Sequence, residues 1–159
     1  MSQRTVGGVA STLRVEKILP VARERLVTVR DDTPLVEAAQ FLDGKHINLV
    51  VVCDKAGAMV GIVTRTNVVR QMALCQGCGC TAAAGTVMTK DVISCRPDDL
   101  LHDVWSIMKE RKLVHVPIVG DDLKPLGVIN ARDALLILLE GSEYEEGLLR
   151  DYVMGIGYR

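Results

Sequence analysis

The stretches GIVTRTN (61–67) and GVINARD (127–133) decide how this chain is read. Each starts with glycine, continues as a short apolar strand and ends in a polar side chain, Thr64 or Asn130, at the point where a helix can begin. They stand 66 residues apart (127 − 61). A single copy is compatible with an ordinary helix cap, because Thr and Asn are favoured there and an acid in the first turn suits the helix dipole. A second copy makes an internal repeat testable along the rest of the chain.

The repeat extends outward from these phrases. At the same offset LVTVRDDTPL (26–35) falls on VISCRPDDLL (92–101), so that Thr28 meets Ser94, Arg30 meets Arg96 and Asp32 meets Asp98. Leu35, Ala38, Ala39 and Leu42 then recur at helical spacing, and Leu101, Val104, Trp105 and Met108 repeat the stripe. Thr33 before Pro34, and Asp99, are the expected caps of these helices. Two apolar runs follow, NLVVV (48–52) and HVPIV (115–119), each tied by an Asp, Gly or Pro turn to the strand of the opening phrase. A further helix carries Val68, Val69, Met72 and Ala73 in the first copy and Leu135, Leu138 and Leu139 in the second. Each half reads β-α-β-β-α, and the fold class is α+β. Halves of this size are marginal alone, so the two are expected to pack about a pseudo-two-fold axis. The organisation is an N-terminal extension (1–12), repeat 1 (13–74), a Cys/Gly-rich linker (75–85), repeat 2 (86–139) and a C-terminal tail (140–159).

Chemically, the strand-to-helix phrase brings free backbone N–H groups to a helix start, which suits an anion. Arg65 and Arg132 lie in that first turn, against the helix dipole, where a nearby phosphate accounts for a cation. Asp133 presents two acceptor oxygens, which match the vicinal hydroxyls of a ribose. The strands starting at Asn48 and His115, with Pro117, offer an aliphatic slot for a flat base and one imidazole to hydrogen-bond it. Phosphate, ribose and base are provided for together.

Composition narrows the alternatives. A net charge of −1 and 3% aromatics give neither the basic surface nor the stacking platforms that nucleic acids need. The longest apolar run, ALLILL (134–139), is far below the roughly 18 to 20 residues that cross a bilayer. MSQRTVGGVASTLR lacks an apolar signal core, and its Arg, Ser and Thr content before Glu16 resembles a transit peptide only faintly. A cytoplasmic protein with no membrane or nucleic-acid partner is expected. No Ser-His-Asp or Cys-His pattern, paired carboxylates or P-loop is present, so no catalytic residues, cofactor or enzyme activity are expected. CQGCGC (75–80) places Cys75, Cys78 and Cys80 in the linker, but one C-x-x-C pair plus a neighbour falls short of the usual four zinc ligands.

The repeat architecture, TVMTKDVISCRPDDLL, LVHVPIV and the phrase G-h-h-[ST]-x-x-D together resemble a tandem pair of cystathionine-β-synthase (CBS) domains, the Bateman module, over residues 13 to 139. The resemblance implies a regulatory unit that binds AMP, ADP, ATP or a related adenosyl ligand in clefts between the repeats, forms a homodimer and signals to a client protein. Ligand-binding positions are expected at Thr28, Asn48, Thr64, Arg65 and Asn67 in the first half, and at Ser94, His115, Pro117, Asn130, Arg132 and Asp133 in the second, of which the resemblance itself carries over four. The hydroxyl position falls on Thr64 and Asn130, and the ribose-binding aspartate position on Asn67 and Asp133. Because the first copy lacks the carboxylate, the two sites are expected to differ, with Asp133 the stronger. The alternatives are a ligand-free CBS scaffold for dimerisation, or a thiol or metal sensor acting through Cys75, Cys78 and Cys80.

Overall fold

The computed structural model describes residues 13–44, 47–75 and 81–140 of the 159. The extension 1–12, most of CQGCGC and the tail from 141 lie outside the described residues. A 3-10 turn at Val15–Ile18 runs into α1 (Leu19–Glu24). Repeat 1 follows as β1 (Thr28–Arg30), α2 (Leu35–Phe41), β2 (Leu49–Cys53), β3 (Met59–Thr64) and α3 (Arg65–Leu74). A short α4 (Ala84–Val87) leads to α5 (Leu101–Arg111), β4 (His115–Val119), β5 (Pro125–Asn130) and α6 (Ala131–Glu140). α4 crosses the expected end of the linker at residue 85.

β2 pairs parallel with β1 and antiparallel with β3. Its sequence LVVVC is apolar throughout because both faces are covered, and all five residues are buried. Val50 and Val52 face the repeat 1 core with Leu35, Leu42 and Val63, while Leu49, Val51 and Cys53 meet Val128 of repeat 2. Alternation along one strand thus builds a domain core on one side and the join between repeats on the other.

In repeat 2, β4 and β5 form the equivalent hairpin, but the expected first strand shrinks to a single parallel bridge, Cys95 to Ile118. Cys95 N donates to Pro117 O and Val119 N to Cys95 O. Extending that ladder requires N–H groups at residues 97 and 117, and both are proline.

The repeats exchange their leading segments. Leu101 N donates to Leu13 O and Val15 N to Asp99 O, while Leu35 N donates to Ala82 O and Ala84 N to Thr33 O. These bonds explain why Thr33 and Asp99 are not helix caps. The first N–H of α2 and of α5 is already satisfied by the other repeat, and each side chain closes the turn before its helix instead. Thr33 Oγ1 accepts from Arg30 N, and Asp99 Oδ2 from Arg96 N.

The same exchange gives the glycines of the opening phrases a structural reason. α1 packs on β5 and α4 on β3. A Cβ at Gly127 would lie 2.8 Å from Ala22 Cβ and 2.9 Å from its carbonyl carbon, and one at Gly61 would lie 2.5 Å from Met88 Sδ and 2.7 Å from Thr89 O. Glycine is required where the other repeat's leading segment crosses the strand.

Leu135, Leu138 and Leu139 of α6 are all buried, and Leu138 packs with Ala22 of α1 and with Leu101, Val104 and Met108 of α5. Among the described residues the most exposed large apolar side chains lie on α3, where Val69, Met72 and Leu74 are 63%, 66% and 66% exposed, and α2 adds Val36 and Phe41; Ile107, Val114, Leu123 and Leu136 are exposed elsewhere.

Candidate functional site

Where the starts of β2 and β4 approach, the polar residues of the two repeats meet. Asn48 and His115 hold corresponding positions, one before β2 and one opening β4. The Asn48 Nδ2 lies 3.4 Å from His115 Nε2, and Asn130 Nδ2, from the end of β5, lies 3.1 Å from the same nitrogen. Two amides from different repeats therefore converge on one ring atom.

The orientation of each amide is fixed by a separate partner. Asn48 Oδ1 accepts from Arg65 Nη1 at 2.7 Å, and Asn130 Oδ1 accepts from Arg132 N at 2.9 Å. Both NH2 groups are thereby turned toward the imidazole, which must accept at Nε2 and carry its proton on Nδ1. Burial holds the His115 pKa below the ordinary 6.5, and the Arg25 charge lowers it further, while Asp133 pulls it up. The ring is neutral near pH 7 on geometry and electrostatics alike.

Asp133, in the first turn of α6, receives Arg25 Nε on Oδ2 at 2.7 Å. The two side chains are only 16% and 23% exposed, so this contact is stronger than a surface ion pair. Among the described residues, Oδ1 has no side-chain partner. Arg25 ends α1 of repeat 1 and lies 108 positions before Asp133. Nothing in the sequence marks it, since the residue 66 positions on is Asp91 and no repeat signal exists.

The first phrase is organised differently. Thr64 and Asn67 form a capping box on α3: Asn67 Oδ1 accepts from Thr64 N at 2.8 Å, and Thr64 Oγ1 faces Asn67 N. Asn67 Nδ2 donates to Thr89 Oγ1 at 3.1 Å and to Val87 O at 3.3 Å, the segment that leads into repeat 2. With 6% exposure, Asn67 is the buried polar residue among those described, and every polar atom of its amide is engaged.

Arg65 was expected beside a phosphate. Its Nη2 instead donates to Leu42 O at 2.7 Å, Gly44 O at 3.2 Å and Ile47 O at 3.4 Å, gathering the loop between α2 and β2. In the repeat, Arg65 aligns with Ala131, and Arg132 with Thr66, so the arginines are one residue out of step and about 100° apart around their helices. Arg132 is exposed.

The remaining expected positions are dispersed. Thr28 lines a hollow of about 520 Å3 at the hairpin turns, with Arg30, Lys55 and Lys124. Ser94 lines a separate hollow of about 240 Å3 beside α5. Pro117 is buried in β4, and its carbonyl serves Cys95. The structure therefore gathers Asn48, Arg65, His115, Asn130 and Asp133, adds Arg25, and leaves Thr28, Ser94 and the Thr64–Asn67 box elsewhere.

Of the thiols, Cys53 is raised in pKa by burial and by Asp54, and Cys95 is pushed up to about 12 by burial and by Asp99. Neither is a thiolate near pH 7. Cys78 and Cys80 lie outside the described residues, where the sensor alternative would act. No group of three or more His, Cys, Asp or Glu side chains suited to a metal occurs among the described residues. None of the described helices is long and apolar enough to cross a membrane.

The CBS domain model matches residues 15–74 and 84–140. A 17.7 kDa uncharacterized protein of Acidianus ambivalens is 26% identical over 141 residues, 89% of this chain and 84% of its own. Among enzymes, inosine-5′-monophosphate dehydrogenase of Nitrosopumilus maritimus is 26% identical over 76% of this chain, but the match spans only 24% of that enzyme. A CBS-domain-containing protein from Agrobacterium tumefaciens has a similar solved structure, with TM-score 0.65 and 27% identity over 78% of this chain and 98% of its own. A CBS domain pair crystallised with 5′-methylthioadenosine and S-adenosyl-L-methionine gives TM-score 0.66 at 23% identity, covering 82% and 99% of the two chains. The complex of CBSX2 with AMP gives 0.67 at 22%, covering 80% and 97%.

Proposed function

Since this chain belongs to the CBS-domain family and carries two copies of the domain, we propose that it is a regulatory module that binds one adenosyl ligand per chain at Asp133, between the repeats. The observation that carries this reading is the asymmetry between the two phrases. Among the described residues Asp133 keeps a carboxylate oxygen without a side-chain partner, close to Asn130 in the α6 first turn, while Asn67 has all its amide atoms engaged in the fold. Ribose hydroxyls donate to Asp133, and a 5′-phosphate or other anionic group meets the first-turn amides of α6 and the exposed Arg132. Solved relatives of the same fold hold AMP, or 5′-methylthioadenosine with S-adenosyl-L-methionine, which supports the adenosyl class. Binding alters the join between repeats and so the surface offered to a client protein. The protein acts in the cytoplasm without catalysis or a required cofactor.

The test is thermal unfolding of phosphate-free protein with AMP, ADP, ATP and S-adenosylmethionine, with GTP as control. At 100 times its dissociation constant a ligand adds about 2.7 kcal/mol, which for a chain of this size is roughly 5 to 10 °C. Calorimetry should then give one ligand per chain. No shift with any adenosyl compound would leave the scaffold alternative, and an equal shift with GTP would remove the adenosine assignment.

A second copy of the chain is proposed to cover the apolar surface of Val36, Phe41, Val69 and Met72 on α2 and α3. Light scattering is expected to report about 35 kDa, twice the 17.3 kDa of one chain. Met72→Glu should return the mass to that of a monomer, and a wild-type monomer at all micromolar concentrations would refute the dimer.

A further inference from the structure

We propose that the His115 imidazole is a proton-operated latch between the two repeats, closed when neutral and opened when protonated, and that it regulates ligand binding at the neighbouring Asp133. The consequence for ligand rests on the function proposed above, whereas the latch itself rests on geometry alone.

The inference starts from the two amides. Asn48 Nδ2 and Asn130 Nδ2 both point at His115 Nε2, at 3.4 and 3.1 Å. Neither amide can be reversed without breaking a shorter bond, to Arg65 Nη1 at 2.7 Å in one case and from Arg132 N at 2.9 Å in the other. A proton on Nε2 therefore finds two donors and no acceptor. The ring must then leave, and with it goes the bridge that links the start of β2 to the end of β5.

The surroundings set the direction. α1 brings the Arg25 cation to the ring, α6 brings the Asp133 anion, and α3 brings the Arg65 cation through Asn48. Arg25 and Asp133 act on the ring in opposite senses, and the Asp133 carboxylate is bonded to Arg25 at 2.7 Å rather than to the imidazole, so among the described residues no carboxylate is hydrogen-bonded to the ring to hold an imidazolium in place. Burial favours the neutral ring first, and the Arg25 charge adds to it. The histidine is depressed in the folded state, so the unfolded chain binds more protons in the window below 6.5. The stability it contributes is complete above that pH and is lost as pH falls through the folded value. The apolar contacts of Leu49, Val51 and Cys53 with Val128 do not titrate in this window, so the opening is confined to the polar edge of the join.

Opening reaches the ligand site through Asn130. Its side chain is held between His115 and the Arg132 backbone amide, three residues before Asp133. When the imidazole withdraws, the turn that positions Asp133 loses its tie to repeat 1 through Asn48.

The experiment begins on the wild-type protein without ligand, by 15N NMR of the imidazole. The expected result is the Nδ1–H tautomer at about pH 7.5 and titration below the ordinary histidine value, with Asn48→Ala moving that titration upward. An Nε2–H tautomer, or a titration unchanged by Asn48→Ala, would overturn the latch. His115→Gln, which cannot titrate, should show a flatter dependence of unfolding temperature on pH between about 7.5 and 5.5 than wild type. If that variant does not fold, the wild-type tautomer and titration still decide.

The ligand arm uses adenosine, which has no group titrating in this range. Its affinity for wild type is expected to fall several-fold between about pH 7.5 and a pH below the His115 midpoint read by NMR, while that of His115→Gln stays level. Equal affinity in wild type on the two sides of that midpoint would overturn the control over ligand binding. Absence of adenosine binding at either pH, with the tautomer as stated, would remove the nucleotide reading and its regulation while the latch stands.

Discussion

Asn67→Asp is expected to destabilise the protein by about 1 to 3 kcal/mol at pH 7, the cost of facing a buried carboxylate oxygen with an acceptor where the amide donated. The substitution restores an acid at the ribose-type position of the first phrase and, on the sequence pattern alone, should create a second ligand site. The structure gives the opposite expectation. Asn67 is buried, and its Nδ2 donates to Thr89 Oγ1 and to Val87 O. A carboxylate keeps the capping box through one oxygen, and its other oxygen can accept from the Thr89 hydroxyl, but that oxygen also faces the Val87 carbonyl, which it can only repel. The sign with pH follows. Folding raises the new carboxyl above its ordinary 3.9 or so, because the protonated form can donate to Val87 O. The deficit relative to wild type is therefore small at low pH and grows as pH rises through that window. Urea unfolding at about pH 4 and pH 7 reads the difference, and calorimetry reads whether a second ligand binds. A variant of wild-type stability that takes up two ligands per chain would reverse this assignment of the first phrase.

This residue also shows what the sequence made legible. The spacing of Thr64 and Asn67 correctly located a helix start, because capping is local and needs only residues three apart. What it did not reveal was the second partner of Asn67, since Val87 and Thr89 reach it only after the leading segments are exchanged. The Arg25–Asp133 pair was hidden for the same reason. β2 was legible because a fully buried strand is written as an unbroken apolar run, and the first strand of repeat 2 was overread because the two prolines that shorten it block bonds to a neighbour that the sequence does not display. Helical spacing identified α3 and α6 equally well, yet it could not say that Leu138 meets α1 and α5 while Met72 faces outward. Periodicity fixes which residues share a face, and only the packing decides what that face meets.

Asp133→Ala is expected to weaken adenosyl-ligand binding by roughly 10- to 150-fold, from the loss of charge-assisted hydrogen bonds of about 1.5 to 3 kcal/mol. The Arg25 contact complicates the reading, because the same change leaves a half-buried guanidinium unpaired and loosens α1 from α6. A loss of affinity could then report the displacement of α1 and say nothing of ribose. Arg25→Ala separates the two. It breaks the same 2.7 Å contact while keeping the carboxylate, and it frees Oδ2 for a second ribose hydroxyl. If Asp133 binds ribose, Arg25→Ala retains or improves affinity while Asp133→Ala loses it, and both variants lose stability. If the pair acts only as a brace between repeats, the two substitutions weaken binding alike. Calorimetry with AMP on the wild type and both variants distinguishes these patterns, and equal affinity in wild type and Asp133→Ala would remove Asp133 from the site and leave GVINARD as a strand-to-helix turn shaped by the crossing of α1.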